Sequence, residues 1–219
     1  MPVGGESGIH MEVRKTDKKK LLYGTGNAAK LDAMRRSLSK LEIEIMGLKD
    51  MEEKPPAVPE DGNTPLENAR QKALAYYEFY KIPVFSCDSG LYFEGLPQEL
   101  QPGVHVRTVG GKYLTDEEML AYYSGLAKKY GDLRARYWNA ICLVTEKGLI
   151  CESMGENLAS EVFLLTSVPC ARVRQKGFPL DSLSVSIQTG KYFYEMGQEQ
   201  TDRLAIRDGF LDFFRSLDF

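Results

Sequence analysis

The stretch Glu60–Leu96, EDGNTPLENARQKALAYYEFYKIPVFSCDSGLYFEGL, reads as a helix, a buried strand and an acidic turn. Thr64 is placed to cap the helix, with Pro65 at its first position and Glu67 at its third, as in a capping box. Leu66, Ala69, Ala73, Tyr76 and Tyr80 then recur at helical spacing to about Tyr80. Asn68 and Lys72 are four apart and share a face. Ile82–Cys87 is an apolar run suited to a buried strand, and Asp88-Ser89-Gly90 follows as a turn at its end. In open α/β sheets ligands gather beyond the carboxyl ends of strands, which raises the interest of Asp88. Glu60, Glu67, Asp88 and Lys72 together suit a hard divalent cation and a polyphosphate, with oxygen ligands for one and a positive charge for the other. Plain capping by Glu67 and an ordinary Asp-Ser-Gly turn explain the same residues without any ligand.

Working outward towards the N-terminus, residues 1–19 are polar and end in a basic run, and read as a mobile tail. A short strand begins at Leu21 and runs into Gly24-Thr25-Gly26-Asn27-Ala28-Ala29-Lys30, with a helix to about Lys40. Such a turn directs backbone N–H groups at an anion, and Thr25, Asn27 and Lys30 are candidate phosphate contacts. It lacks the GxxxxGK[ST] pattern of a P-loop, and a simple capped helix start remains open. Glu42–Leu48 alternates as a strand, and Pro55, Pro56 and Pro59 mark a loop.

Towards the C-terminus, Pro102-Gly103-Val104 is a turn and Thr115 caps a helix to about Tyr130. Strands are expected over Ala135–Thr145, Leu149–Glu152 and Leu158–Leu165, the first two forming a hairpin through Glu146-Lys147-Gly148. A last helix is expected from about Gln200 to Leu217, with Arg203 and Arg207 on one face.

Composition bounds the function. The 219 residues are 43% hydrophobic with a formal net charge of −3, which supports one core and gives no reason to expect a nucleic-acid partner. Residues 20–219 read as one domain. Four scattered cysteines without a CxxC argue against a zinc site or a disulfide framework, and two histidines leave little for a histidine-based centre. No apolar run approaches the roughly 20 residues needed to span a bilayer, so no membrane partner is expected and a cytoplasmic location is the default.

Several ordered motifs resemble one family. TGNAAK at 25–30, EDGNTPLENARQKA at 60–73, DSGL at 88–91 followed by PGV at 102–104, Phe178 with Asp181, GKYFYEM at 190–196 and Arg207 fall in the order and spacing of the inosine triphosphate pyrophosphatase family, also called Ham1-like. The resemblance implies an elongated α/β fold: a long mixed β-sheet with flanking helices, and two lobes around a central cleft. It also implies a homodimer. The reaction implied is hydrolysis of a nucleoside triphosphate, such as ITP or XTP, to monophosphate and pyrophosphate with Mg2+. On that resemblance Asp88 is the general base and Lys72 its catalytic partner. Glu60, Glu67 and Asp88 hold the metal. Thr25, Asn27, Lys30 and Ser89 hold the phosphates. Phe178 stacks on the base, Asp181 fixes the sugar or base side, and Arg207 reads the purine 6-oxygen.

The chain departs from the pattern at identifiable places. Cys87 stands where the family has an aspartate, and a thiol is a poor magnesium ligand. Thr201, Ala205 and Ile206 replace polar groups at the base end, Leu180 replaces an aromatic, and Arg107 lies one position early. Altered base specificity is therefore expected. A paralogue that binds nucleotides without turnover is the alternative, and a related-fold phosphatase acting on another phosphoester is a third reading. Clustered charges are costly to keep without use, which favours the enzyme.

Overall fold

The computed structural model describes residues 18–172, 178–197, 200 and 209–217. The sequence-predicted groups Arg203, Arg207, Thr201, Ala205 and Ile206, and tail residues 1–17, lie outside the described residues. The elements are β1 (Lys19–Tyr23), α1 (Ala28–Ser37), β2 (Ile43–Gly47), α2 (Pro65–Tyr80), β3 (Val84–Phe93), β4 (Thr108–Val109), β5 (Lys112–Tyr113), α3 (Asp116–Tyr130), β6 (Leu133–Val144), β7 (Ile150–Met154), β8 (Phe163–Leu165), β9 (Ser184–Ser186) and α4 (Gly209–Arg215).

Seven strands form one mixed sheet in the order β2-β1-β3-β6-β8-β9, with β7 beside the second half of β6. β1 runs parallel to both β2 and β3. β3 and β6 are antiparallel and pair residue for residue from Val84↔Val144 to Phe93↔Ala135. The first half of β6 also pairs with β8 and the second half with β7. Among the described residues no helix is long and apolar enough to cross a membrane.

Side chains alternate across the sheet, so β3 and β6 each serve two faces. On one face, Ala140, Cys142 and Val144 pack under Ala69 and Ala73 of α2. On the other face lie two separate cores. Phe85, Cys87, Ile141 and Leu143 meet Met34 and Leu38 of α1 and Phe210 and Phe214 of α4. Further along the same strands, Leu91, Phe93, Leu133 and Ala135 meet Met119, Tyr123 and Leu126 of α3, with Leu180 and Leu183. Phe85, Ile141, Leu143 and Leu91 are fully buried, each worth about 1.5–3 kcal/mol of hydrophobic stabilisation. Between these cores the two strands turn polar. Ser89 donates to Asn139 Oδ1 at 2.7 Å, and Asn139 Nδ2 donates to the Leu158 carbonyl at 2.8 Å. The expected α/β architecture with a mixed sheet and flanking helices is the one observed, and two cores flank a polar break.

Some boundaries differ from expectation. Asp88-Ser89-Gly90 is not a turn after a short strand. It is the middle of the 10-residue β3, because β6 offers a partner to each of its residues. Asp88 therefore lies in mid-strand rather than at a carboxyl end. Gly90 is tolerated there because the PGV turn closes in: a Cβ on Gly90 would lie 3.1 Å from the Gly103 backbone, and Leu91 and Gly103 exchange backbone hydrogen bonds of 2.9 and 3.0 Å. The expected strand Leu158–Leu165 shrinks to β8. Leu158 and Ala159 instead donate to the Gly155 carbonyl in a turn. Lys19 and Lys20, read as the end of the tail and the start of the domain, both pair in β1 with Ile43 and Glu44.

Candidate active site

The site is built on the first turns of α2. Thr64 Oγ1 accepts from the Glu67 N–H at 3.2 Å, and Pro65 occupies the first helical position. Glu67 Oε2 accepts from the Asn63 N–H at 2.6 Å, so its carboxylate tightens the loop before the helix. This start aims Asn68 and Lys72, one turn apart, at β3. Both are buried, as is Asp88 opposite them.

Lys72 Nζ lies 3.0 Å from Asp88 Oδ1 and 3.3 Å from Glu60 Oε2. Asn68 Nδ2 donates to Asp88 Oδ2 at 3.0 Å. The Gly62 N–H donates in turn to Asn68 Oδ1 at 2.8 Å. Gly62 has to lack a side chain, since a Cβ there would lie 2.7 Å from Asn68 Oδ1. Burial works against the Lys72 ammonium, but the charges of Asp88 and Glu60 outweigh it and leave its pKa above the ordinary lysine value. Lys72 is therefore a cation at neutral pH, held between two carboxylates, and Asp88 has a donor on each oxygen.

The turn after β1 is tied to β3 just ahead of Cys87 and Asp88. β1 ends at Tyr23 opposite Phe85, while β3 continues to Phe93. The Gly24 N–H donates to the Phe85 carbonyl at 2.8 Å and Ser86 Oγ donates to the Gly24 carbonyl at 3.1 Å. Asn27 caps α1, its Oδ1 accepting from the N–H groups of Ala29 and Lys30 at 3.0 and 3.2 Å. Thr25 Oγ1 accepts from the Asn27 N–H at 3.2 Å. The first-turn N–H groups of Ala29 and Lys30 are thus taken by the cap. Among the donors this turn can offer an anion are the Thr25 hydroxyl, the Asn27 amide nitrogen and the Lys30 ammonium.

Cys87 points away from Asp88, into the core shared with α1 and α4. Burial pushes its thiol up to about 12, against the opposing pull of the Tyr23 hydrogen bond and of Lys30 and Lys72. It is a neutral core thiol that senses both lysines. All four cysteines are free.

The remaining expected residues are spread further. Ser89 is held by Asn139 within the polar break. Phe178 leads into the turn Pro179–Ser182, and its carbonyl accepts from Tyr194 Oη at 2.8 Å. Asp181 lies in that turn, where burial pushes its carboxyl up to about 6. The nearby Tyr137 phenol is raised by its own burial and then by Asp181. Leu180 is 3% exposed and belongs to the α3 core, which accounts for an aliphatic residue there. The structure thus brings Glu60, Lys72 and Asp88 together and joins the turn that carries Thr25, Asn27 and Lys30 to β3 at Phe85 and Ser86. Glu67 does not close the expected capping box, since its carboxylate bonds the Asn63 N–H, one residue before the Thr64 cap. Asn68 and Gly62 were missed as site residues. The four-residue spacing of Asn68 and Lys72 was the signal available for the first.

Among the described residues no three His, Cys, Asp or Glu side chains converge as a metal cage. Magnesium seldom uses one: it is held by one or two carboxylates plus substrate phosphates. Asp88 and Glu60, both hard oxygen donors on one ammonium, fit an ion of that kind.

Comparison with known proteins bears on this geometry. The model of the Ham1 family matches residues 21–212. A dITP/XTP pyrophosphatase of Thermus thermophilus is 30% identical over 190 residues, 86% of each chain. One from Aquifex aeolicus is 43% identical over 86 residues, spanning 39% of this chain and 40% of that protein. The solved Ham1 protein of Staphylococcus aureus shares the fold with a TM-score of 0.68 at 18% identity, over 90% of this chain and 97% of that one.

Proposed function

The chain belongs to the Ham1 family, and from that premise we propose that it is a nucleoside-triphosphate pyrophosphatase releasing monophosphate and pyrophosphate. The observation that carries this reading is the buried Lys72–Asp88 pair, extended to Glu60. A lysine neutralising phosphate charge and a carboxylate able to take a proton from water are what hydrolysis of a phosphoanhydride requires. Asp88 Oδ1 accepts the proton of the attacking water. As the phosphates arrive, Lys72 exchanges part of its contact with Asp88 for phosphate oxygens, and Lys30, Thr25 and Asn27 hold the rest of the chain. Glu60 and Asp88 would hold Mg2+, with Glu67 beyond them, and the ion would stabilise charge developing on the phosphate oxygens. Ser89 braces the polar break beside Asp88.

At the base end, Phe178 and Asp181 line the nucleoside and Arg207 reads the purine oxygen. With Leu180 in the core and Ala205-Ile206 in place of polar groups, inosine and xanthosine nucleotides are substrates, with weaker discrimination against adenosine than the family pattern implies. Four free thiols suit a reducing, cytoplasmic setting, and a second copy of the chain is the expected partner.

The test is pyrophosphate release with Mg2+ from a panel of canonical, deaminated and modified triphosphates. Turnover of at least one is expected, with Asp88→Asn lowering kcat by about 10³-fold while the fold survives. Binding without turnover across the panel would move the reading to a nucleotide sensor. Strong inosine selectivity that disappears in Arg207→Ala would overturn the relaxed-specificity part.

A further inference from the structure

Asn68 is 2% exposed, with both ends of its amide engaged. The Gly62 N–H can only donate, so the atom it meets at 2.8 Å has to be Oδ1. That leaves Nδ2 facing Asp88 Oδ2 at 3.0 Å. The orientation of the amide is thus dictated by a backbone group in the loop before α2, and the amide in turn engages one specific oxygen of Asp88. The other oxygen, Oδ1, faces Lys72 at 3.0 Å. A carboxylate held only by Lys72 could rotate and present either oxygen; one held by both cannot.

We propose that Asn68 is a positioning residue for the reaction. It clamps Asp88 Oδ2 so that Oδ1 is the oxygen offered to water, and the Gly62 N–H sets the clamp. The inference rests on the pyrophosphatase reading and goes beyond it by assigning the two oxygens different tasks. It also explains the constraint at Gly62, where a side chain would meet the Asn68 amide oxygen and the Glu67 Cβ, each at 2.7 Å. Misplacing a reacting group by about 1 Å can cost on the order of 10²-fold in rate.

The experiment is steady-state pyrophosphate release by Asn68→Asp, Asn68→Ala, Gly62→Ala and the Gly62→Ala/Asn68→Ala pair. Asn68→Asp keeps the side-chain shape and can still accept from Gly62, but sets a second carboxyl against Asp88 in place of the amide donor, whereas Asn68→Ala removes the donor outright. Expected is a kcat lower by about 10- to 100-fold in Asn68→Asp and Asn68→Ala with KM within about threefold of the parent. The double variant should lose less than the product of the two single losses, because part of the Gly62→Ala effect runs through Asn68 while the contact with the Glu67 Cβ remains. A kcat within about twofold of the parent in Asn68→Ala, or additive losses in the double variant that follow the fall in Tm, overturns the proposal. Should the parent protein turn over no triphosphate in the panel, the function reading fails by itself. The clamp is then judged by NMR: the Asn68 side-chain amide protons should exchange slowly and shift in Asp88→Asn. If they exchange freely or stay unmoved, the clamp is refuted.

Discussion

At Asp88 a buried carboxylate receives an ammonium on one oxygen and an amide on the other. At Asp181 a carboxyl is also drawn out of water, yet among the described residues burial alone governs its pKa and no cation offsets it. The first is paired on both oxygens by groups from α2. The second is left to hold its proton into the mildly acidic range. Burial by itself does not decide what a carboxyl becomes; the groups placed around it do. One half of the molecule thus surrounds its buried carboxyl with donors, while the other leaves its carboxyl to burial beside Tyr137.

The comparison can be broken most severely at Lys72. Lys72→Met leaves Asp88 buried without its cation, and loss of one partner of a buried pair costs about 3–5 kcal/mol. Urea unfolding at neutral pH should register a loss of that size, with pyrophosphate release abolished. A loss under about 1 kcal/mol would mean that the pair is solvated more freely than its burial implies.

Asp181→Asn should act in the opposite direction. A carboxyl whose folded-state pKa is raised from the ordinary value near 4 to about 6 favours folding less once it must ionise. The penalty is absent below about pH 4, grows through the window to about pH 6 and is complete above it. Asp181→Asn should therefore stabilise the fold by about 2 kcal/mol at pH 8 and by close to nothing at pH 4. A pH-independent effect would show that Asp181 has a partner compensating its charge.

The smallest effect concerns Glu67. Its carboxylate accepts from the Asn63 N–H, so Glu67→Gln, which keeps an acceptor, should cost less than about 0.5 kcal/mol. Thr64→Ala, which removes the cap itself, should cost about 1 kcal/mol. A higher magnesium requirement in Glu67→Gln would transfer Glu67 from the Asn63 contact to the metal set.

Much of this arrangement was legible in the chain because it is local. The Thr64 cap, the helical spacing of α2 and the Glu146–Gly148 hairpin turn all depend on neighbours within a few residues. What was not legible depends on distant partners. Asp88-Ser89-Gly90 reads as a turn until β6 supplies a partner for each residue. Cys87 reads as a damaged metal position until alternation along β3 turns it into the core. The raised Asp181 carboxyl follows from burial under a core assembled from α3, β6 and β8, which no local spacing announces. The short strands β4, β5 and β9, only two or three residues each, carry too few alternating positions to stand out.

The 12 residues of β6 have a consequence for how the molecule comes apart. Leu133 and Ala135 serve one core, Ile141 and Leu143 the other, so neither can melt without dragging on the same ladder. Cooperativity is thereby built across the very break that separates the cores. The ladder joins segments distant in the chain, so a long loop must close before either core consolidates. Asp88 lies near the midpoint of that seam, so the strand that ties the two cores together is also the one that carries the partner of Lys72.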